Sequence, residues 1–326
     1  MKRSLLIFLS VFFLLNTVCA EKSEKKDYLK MKITPEIYLM NGMIYEYVFS
    51  SSCLNTGNKL SELQWDIKNV PVLKLHADFD ILDYLYTGIN GSFVIPCSSG
   101  NLQDYDWLNS TKSQWKNANP CDMTNYSKHD NKINKCISLS ILLGGNIYLP
   151  AEIKLSPYIG YIYEYVGFDG SDGFCIYKSD NYNPKNFSGK VISYSQEINS
   201  CITGIKFSIE SIPRTCISGN FGFSPALTFL SALDYHYLNS AVYWDSFSNL
   251  WLVQADLSIQ YKFNKNHASG ISGFIMFIPE SKGTTSSNKL GSNGLPAYAA
   301  WTKSNSDNGG TKRFIWGFSL NYSFSL

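Results

Sequence analysis

The sequence predicts an all-β protein, a ten-stranded antiparallel transmembrane β-barrel with long extracellular loops. Three observations carry this. An export signal opens the chain, apolar and polar residues alternate at period two in segment after segment, and an aromatic-faced strand runs to the last residue.

The first element is the signal. Lys2 and Arg3 precede an apolar run from Leu5 to Leu15, and Val18-Cys19-Ala20 suits cleavage. Residues 1–20 are thus expected to leave, and residues 21–33 form a charged lead before a barrel over 34–326. Cys19 also admits lipidation, which Val18 disfavours. No later run reaches the roughly 18 apolar residues of a membrane helix. An exported chain of this kind is a secreted protein or an outer-membrane barrel.

The last element decides between the two. In "RFIWGFSLNYSFSL", Phe314, Trp316, Phe318, Leu320, Tyr322, Phe324 and Leu326 share one face, and Ser319, Asn321 and Ser323 share the other. The same alternation puts Val253, Leu257, Ile259 and Tyr261 opposite Gln254, Asp256, Ser258 and Gln260, and aligns Ile137, Leu139, Ile141 and Leu143. A membrane barrel needs lipid-facing apolar residues and polar lumen residues in this rhythm, and an aromatic content of 15% suits its interfacial girdles.

Ten strands are expected near 34–48, 61–77, 82–95, 135–149, 153–168, 193–210, 214–237, 250–263, 269–280 and 312–326. Links at 78–81, 150–152, 211–213 and 264–268 are short. Those at 49–60, 96–134, 169–192, 238–249 and 281–311 are long and read as outer loops. A formal charge of +2 points to no particular partner, nucleic acid included.

Two short stretches carry chemistry. "SALDYHYLNS" places Asp234 and His236 two apart on one strand face, in a chain with only four histidines. If the preceding Phe221 to Phe229 cross the bilayer, this pair faces the lumen above the outer surface. A carboxylate beside an imidazole orients a general base. "LQDYDWLNS", opening the loop after the third strand, puts Asp104 and Asp106 on the same rim. Two close carboxylates share a proton, a water or a cation. Taken singly, each motif is more often solvated surface than catalysis.

Together these blocks resemble the omptin family, ten-stranded outer-membrane aspartyl endopeptidases. "NGMIYEYVF" is similar to the family's first-strand block, which implies a substrate-pocket role for Glu46. "SELQWDIKNVPVLK" resembles its second-strand block through Leu63, Trp65 and Asn69. "DYDW" and "DYH" match its Asp-x-Asp-Trp and Asp-x-His, which implies catalytic roles for Asp104, Asp106, Asp234 and His236. "SKHD" stands where the family has Ser-Arg-His, so Ser127 and His129 are expected to line the groove. Ala232 replaces a second pocket acid that omptins commonly carry two residues before the Asp of the dyad. "GYIYEYVGF" keeps Tyr161 but has Tyr163 and Tyr165 in place of charged members of the family's lipopolysaccharide motif, so lipopolysaccharide dependence is doubtful.

The resemblance implies a peptidase of the bacterial outer membrane with its site facing outward. His236 would activate a water opposite Asp104 and Asp106, cleaving peptide or protein substrates near basic residues, with no metal and no cofactor. Activity would then fall below about pH 6 as the histidine protonates. The rival readings are a non-enzymatic barrel, porin or adhesin, and a hydrolase using calcium at Asp104 and Asp106. Seven cysteines follow Ala20 (Cys53, Cys97, Cys121, Cys136, Cys175, Cys201 and Cys216), and export permits bridges within the long loops.

Overall fold

The computed structural model describes residues 29–50, 59–107, 123–177, 180–181, 183–291, 294–297, 301–303 and 308–326. The expected signal segment, Cys53 and Cys121 lie outside them. The wall is built from β1 (Leu29–Phe49), β2 (Lys59–Ile81), β3 (Leu85–Val94), β4 (Cys97–Asp106), β5 (Asn125–Gly145), β7 (Ile153–Tyr177), β9 (Lys190–Ile209), β10 (Thr215–His236), β11 (Ala241–Lys262), β12 (His267–Lys289) and β14 (Gly309–Ser325). The short β6 (Ile147–Leu149) and β8 (Lys185–Asn186) pair with β7, and β13 (Thr302–Lys303) pairs with β12.

β3 and β4 form one stave. Both pair with β2 on one side and β5 on the other, and the break between them falls at Ile95-Pro96, where proline cannot donate to the ladder. Counted so, ten antiparallel staves follow chain order around the ring, and β14 closes it onto β1 over Lys32 to Val48. Closure leaves no open edge.

The alternation sorts faces as expected. On β14, Phe318 and Leu320 are 69% and 71% exposed, whereas Ser319, Asn321 and Ser323 are buried. Leu139, Ile141 and Leu143 on β5, and Leu257, Ile259 and Tyr261 on β11, likewise face outward. The core is therefore the lumen.

Side chains cross and fill it. Lys206 Nζ meets Asp78 Oδ1 at 2.6 Å, and Lys154 Nζ meets Asp80 Oδ2 at 2.7 Å. Arg313 on β14 pairs with Glu164 on β7, on the far side of the ring. Trp65 on β2 stacks on Tyr194 of β9 with ring centroids 5.3 Å apart.

The staves run well past the expected ends. A tilted strand crosses a bilayer in about 9–11 residues, but β7 has 25 and β10 has 22. Much of what reads as outer loop in the sequence is strand: 97–106, 125–134, 169–177, 241–249 and 281–289 are all in the wall. At 238–249 the chain makes a turn of a few residues and re-enters the sheet at Ala241.

Among the described residues, Cys97, Cys136, Cys175, Cys201 and Cys216 are free thiols. All five lie on strands, with Cys136 buried and Cys201 exposed, so strand geometry rather than loop bridging places them.

Candidate active site

Each acid at the mouth is aimed inward by strand parity. On β4, Leu102 is buried, and Asp104 and Asp106 follow it on the lumen side while Gln103 and Tyr105 turn out. The Tyr105 and Tyr126 hydroxyls both donate to Gln103 Oε1, at 3.1 and 3.2 Å, which ties the outer face together. The aspartates thus stand on a rigid strand, not on the loop the sequence suggested. Ser61 Oγ donates to Asp104 Oδ1 at 3.3 Å, and Asn125 Nδ2 donates to Asp106 Oδ2 at 3.1 Å.

On β10 the same parity buries Leu230, Ala232 and Asp234 and carries His236 beyond them. Asp234 is 2% exposed, and its Oδ2 is hydrogen-bonded to His236 Nε2. The imidazole itself keeps a partly open face and packs edge-on against Tyr243 at 5.4 Å.

The two pairs feel each other across the mouth. Burial raises Asp104 well above the usual carboxylate range, and the neighbouring Asp106 adds to the rise while His236 opposes it. Asp106 is raised by burial and eased by its hydrogen bonds from Asn125 and Ser61. Burial alone would depress His236, but Asp234 and then Asp104 and Asp106 overcome it and lift its pKa to about 9. One imidazolium and a set of carboxyl groups therefore share few protons in a small space.

Glu46 on β1 joins this group. It is 3% exposed and raised well above the carboxylate range by burial, then by the charges of Asp234 and Asp245. Ser127 pairs in register with Asp104. His129, buried behind it, donates from Nδ1 to the Asp172 carbonyl at 2.5 Å, and its Nε2 lies 3.0 Å from Ser127 Oγ. With Nδ1 protonated, a neutral ring accepts from the serine at Nε2. Thus all the site residues read from the sequence gather at one end of the lumen.

Asp245 was missed. The β10–β11 hairpin pairs Ala232 with Asp245, and Asp245 is 4% exposed on the lumen side. A register shift around Asn249, whose φ is +58°, reverses the inward parity along β11. Below it Leu250 and Leu252 point in; above it Asp245 and Phe247 do. The tight turn after His236 was the available signal, since counting back from it sets Asp245 opposite Ala232.

Fold and mouth define a class: a closed ten-stave barrel of the outer-membrane type, with acids and a histidine collected at one rim. The profile of the omptin family matches residues 28–323, and the chain belongs to that family. It is 26% identical to the plasminogen activator of Yersinia pestis over 169 residues, 51% of each chain. It is 26% identical to the outer membrane protease OmpP of Escherichia coli K12 over 201 residues, which is 59% of this chain and 57% of that one. The chain thus spans about half the length of these curated relatives. The crystal structure of the outer membrane protease OmpT from Escherichia coli superposes with a TM-score of 0.80 at 19% identity, covering 94% of this chain and 99% of that one, a likeness of fold.

Proposed function

We propose that this chain is an outer-membrane endopeptidase, facing outward, that cuts peptide bonds with an activated water beside basic residues. The observation that supports this best is the opposition of Asp104 and Asp106 to the Asp234–His236 pair, close enough for each to shift the other's protonation. The printed names of its relatives support the protease class.

In this reading His236, when neutral, takes a proton from a water as that water attacks the scissile carbonyl. Asp234 holds the imidazole by Nε2 and stabilises the imidazolium that forms. Asp104 and Asp106 hold the same water from the opposite wall. The one that retains a proton hydrogen-bonds the carbonyl oxygen as charge develops there. The imidazolium then protonates the leaving amine as the C–N bond breaks, and because the nucleophile is water rather than a side chain, no acyl-enzyme forms. Ser127, beside Asp104, and His129, which fixes Ser127, form the groove wall for the peptide. Glu46 attracts a basic side chain, and Ala232 leaves space beside it.

The packed lumen speaks against a porin, because ion pairs and the Trp65–Tyr194 stack obstruct a channel path. On the outer face Tyr161 donates to Asn199 Oδ1 at 2.5 Å, and Lys135 lies 5.0 Å from the Tyr165 ring. This aromatic surface suits lipid contact, and it lacks the charged motif members on which dependence on lipopolysaccharide would rest. The test is refolded protein on a peptide library without lipopolysaccharide, with cleavage sites read by mass spectrometry. Cuts beside arginine and lysine that vanish in His236→Ala support the proposal. No cleavage by wild type, with or without added lipopolysaccharide, overturns it.

A further inference from the structure

One register row crosses four staves at the mouth: Gln196 on β9, Ala232 on β10, Asp245 on β11 and Thr285 on β12. Facing it from β1 and β14 are Glu46 and its register partner Thr311. Gln196 Nε2 donates to Thr311 Oγ1 at 3.0 Å and to Tyr194 Oη at 2.8 Å, which links the two sides. Thr285 Oγ1 donates to Asp245 Oδ1 at 2.6 Å and fixes the carboxyl group. A Cβ on Gly309 would lie 3.0 Å from that same oxygen and 2.6 Å from Thr285 Oγ1, so glycine there keeps the space in which the acid sits.

Buried polar groups are normally partnered. Here Gln196 Oε1 is not, and the buried oxygens Glu46 Oε2 and Asp234 Oδ1 have only each other's carboxyl group, so that a proton must sit between them until a cation takes its place. Gln196 is 1% exposed, so its orphan is independent of the acids. With that proton gone, all three oxygens are acceptors. Neither Glu46 nor Asp245 forms a salt bridge among the described residues; Arg313 makes its ion pair with Glu164 through Nη2, and Arg214 lies at a turn at the other end of the barrel. A floor of acceptors with acid on two sides has the composition that a planar, multi-donor cation completes.

We infer that Asp245 is a specificity-determining residue, which together with Glu46 and Gln196 forms a pocket that selects a guanidinium side chain on the substrate. This deepens the peptidase reading and rests on it. Ala232 does not leave the pocket one acid short: the second carboxylate comes from the neighbouring strand, one register partner away. Burial of Asp245, offset in part by Thr285 and reinforced by Asp234, lifts its pKa to about 7, and an incoming guanidinium would draw the proton off.

The experiment compares a peptide carrying arginine before the cut bond with its citrulline isostere, which keeps shape and loses charge. For Asp245→Asn, kcat/KM on the arginine peptide should fall on the order of 10- to 100-fold, mostly through KM, with the citrulline peptide changed less than about 3-fold. Adding Ala232→Asp to the same chain should restore much of the arginine preference. Benzamidine, a small amidinium probe, should inhibit wild type more strongly than Asp245→Asn by a similar factor. Folding is checked by heat-modifiable migration, and Asp245→Ser, which keeps a partner for Thr285, serves if the asparagine variant does not fold. An unchanged arginine-to-citrulline ratio in a folded, active variant overturns the inference and leaves the peptidase reading standing. A wild type that cleaves neither peptide overturns both.

Discussion

Arg313 and Glu164 meet in the middle of the lumen from staves on opposite sides of the ring, both nearly inaccessible to solvent. Two charges so placed are costly to desolvate, and their mutual attraction offsets that cost only while both are present. Arg313 also has Nε and Nη1 without partners. Replacing Glu164 with glutamine should therefore destabilise the barrel by about 3–5 kcal/mol, the usual loss when one buried partner is removed. The double variant Glu164→Gln, Arg313→Met should recover most of that loss. Urea unfolding in detergent measures both, and a double variant as weak as the single one would contradict the argument.

The four residues at the mouth stand on strands whose pairing does not depend on them. Asp104→Ala, Asp106→Ala, Asp234→Asn and His236→Ala should each migrate as folded, heat-modifiable barrels. Each should lose activity, with His236→Ala down about a hundred- to ten-thousand-fold, the range of a positioned base. A His236→Ala barrel that keeps more than about a tenth of the wild-type rate would remove the histidine from the chemistry.

Which of these features the sequence showed depended on parity. Where alternation is unbroken, as from Phe314 to Tyr322 on β14, it announced the outer face residue by residue. Asp234 and His236 were placed on the lumen side by counting from Phe221, because the irregularity near Ala226, with φ +57°, preserves the rhythm. The irregularity at Asn249 does not, and so Asp245 was hidden in what looked like a polar loop. The staves were read too short for a related reason. Above the membrane the outer face need not be apolar, so Asp104, Tyr105 and Asp106 lack the hydrophobic signal although their backbone pairs with β2 and β5. The cross-barrel partners, such as Arg313 with Glu164, 149 positions apart, have no local signature at all.

Glu46 is buried against the Asp234 carboxyl group, which repels it when both are ionised, and a basic substrate would relieve that repulsion. Glu46→Gln should raise KM for arginine peptides more than for neutral ones, by about 1–3 kcal/mol in transition-state binding. Steady-state kinetics on matched arginine and norleucine peptides gives the comparison. An equal effect on both would mean that Glu46 shapes the barrel rather than the pocket.

The proposed chemistry uses no metal, so activity should survive a chelator and a serine-directed reagent. The calcium alternative at Asp104 and Asp106 makes the opposite forecast. Loss of activity in chelator, restored by added calcium, would favour it.

The pH profile follows from the acids around His236. With a pKa near 9, the imidazole is mostly protonated at neutral pH and cannot accept a proton from water. The sequence alone suggested that activity would fall below about pH 6; Asp234, Asp104 and Asp106 move that limb upward together. kcat/KM should climb with pH, approaching tenfold per unit well below the midpoint, reach half its limit near pH 9 and level off above that. Stability should run the other way. The folded pKa lies above the unfolded value of about 6.5, so this group's contribution is complete below about pH 6.5 and is lost as pH rises through about 9. Asp234→Asn removes the strongest attraction on the imidazolium and should move the midpoint of its residual activity toward acid. Histidine NMR titration and rate measurements on the same sample test this, and a wild-type midpoint below about 7 by both would show that the carboxyl groups at the mouth do not hold His236 in its charged form.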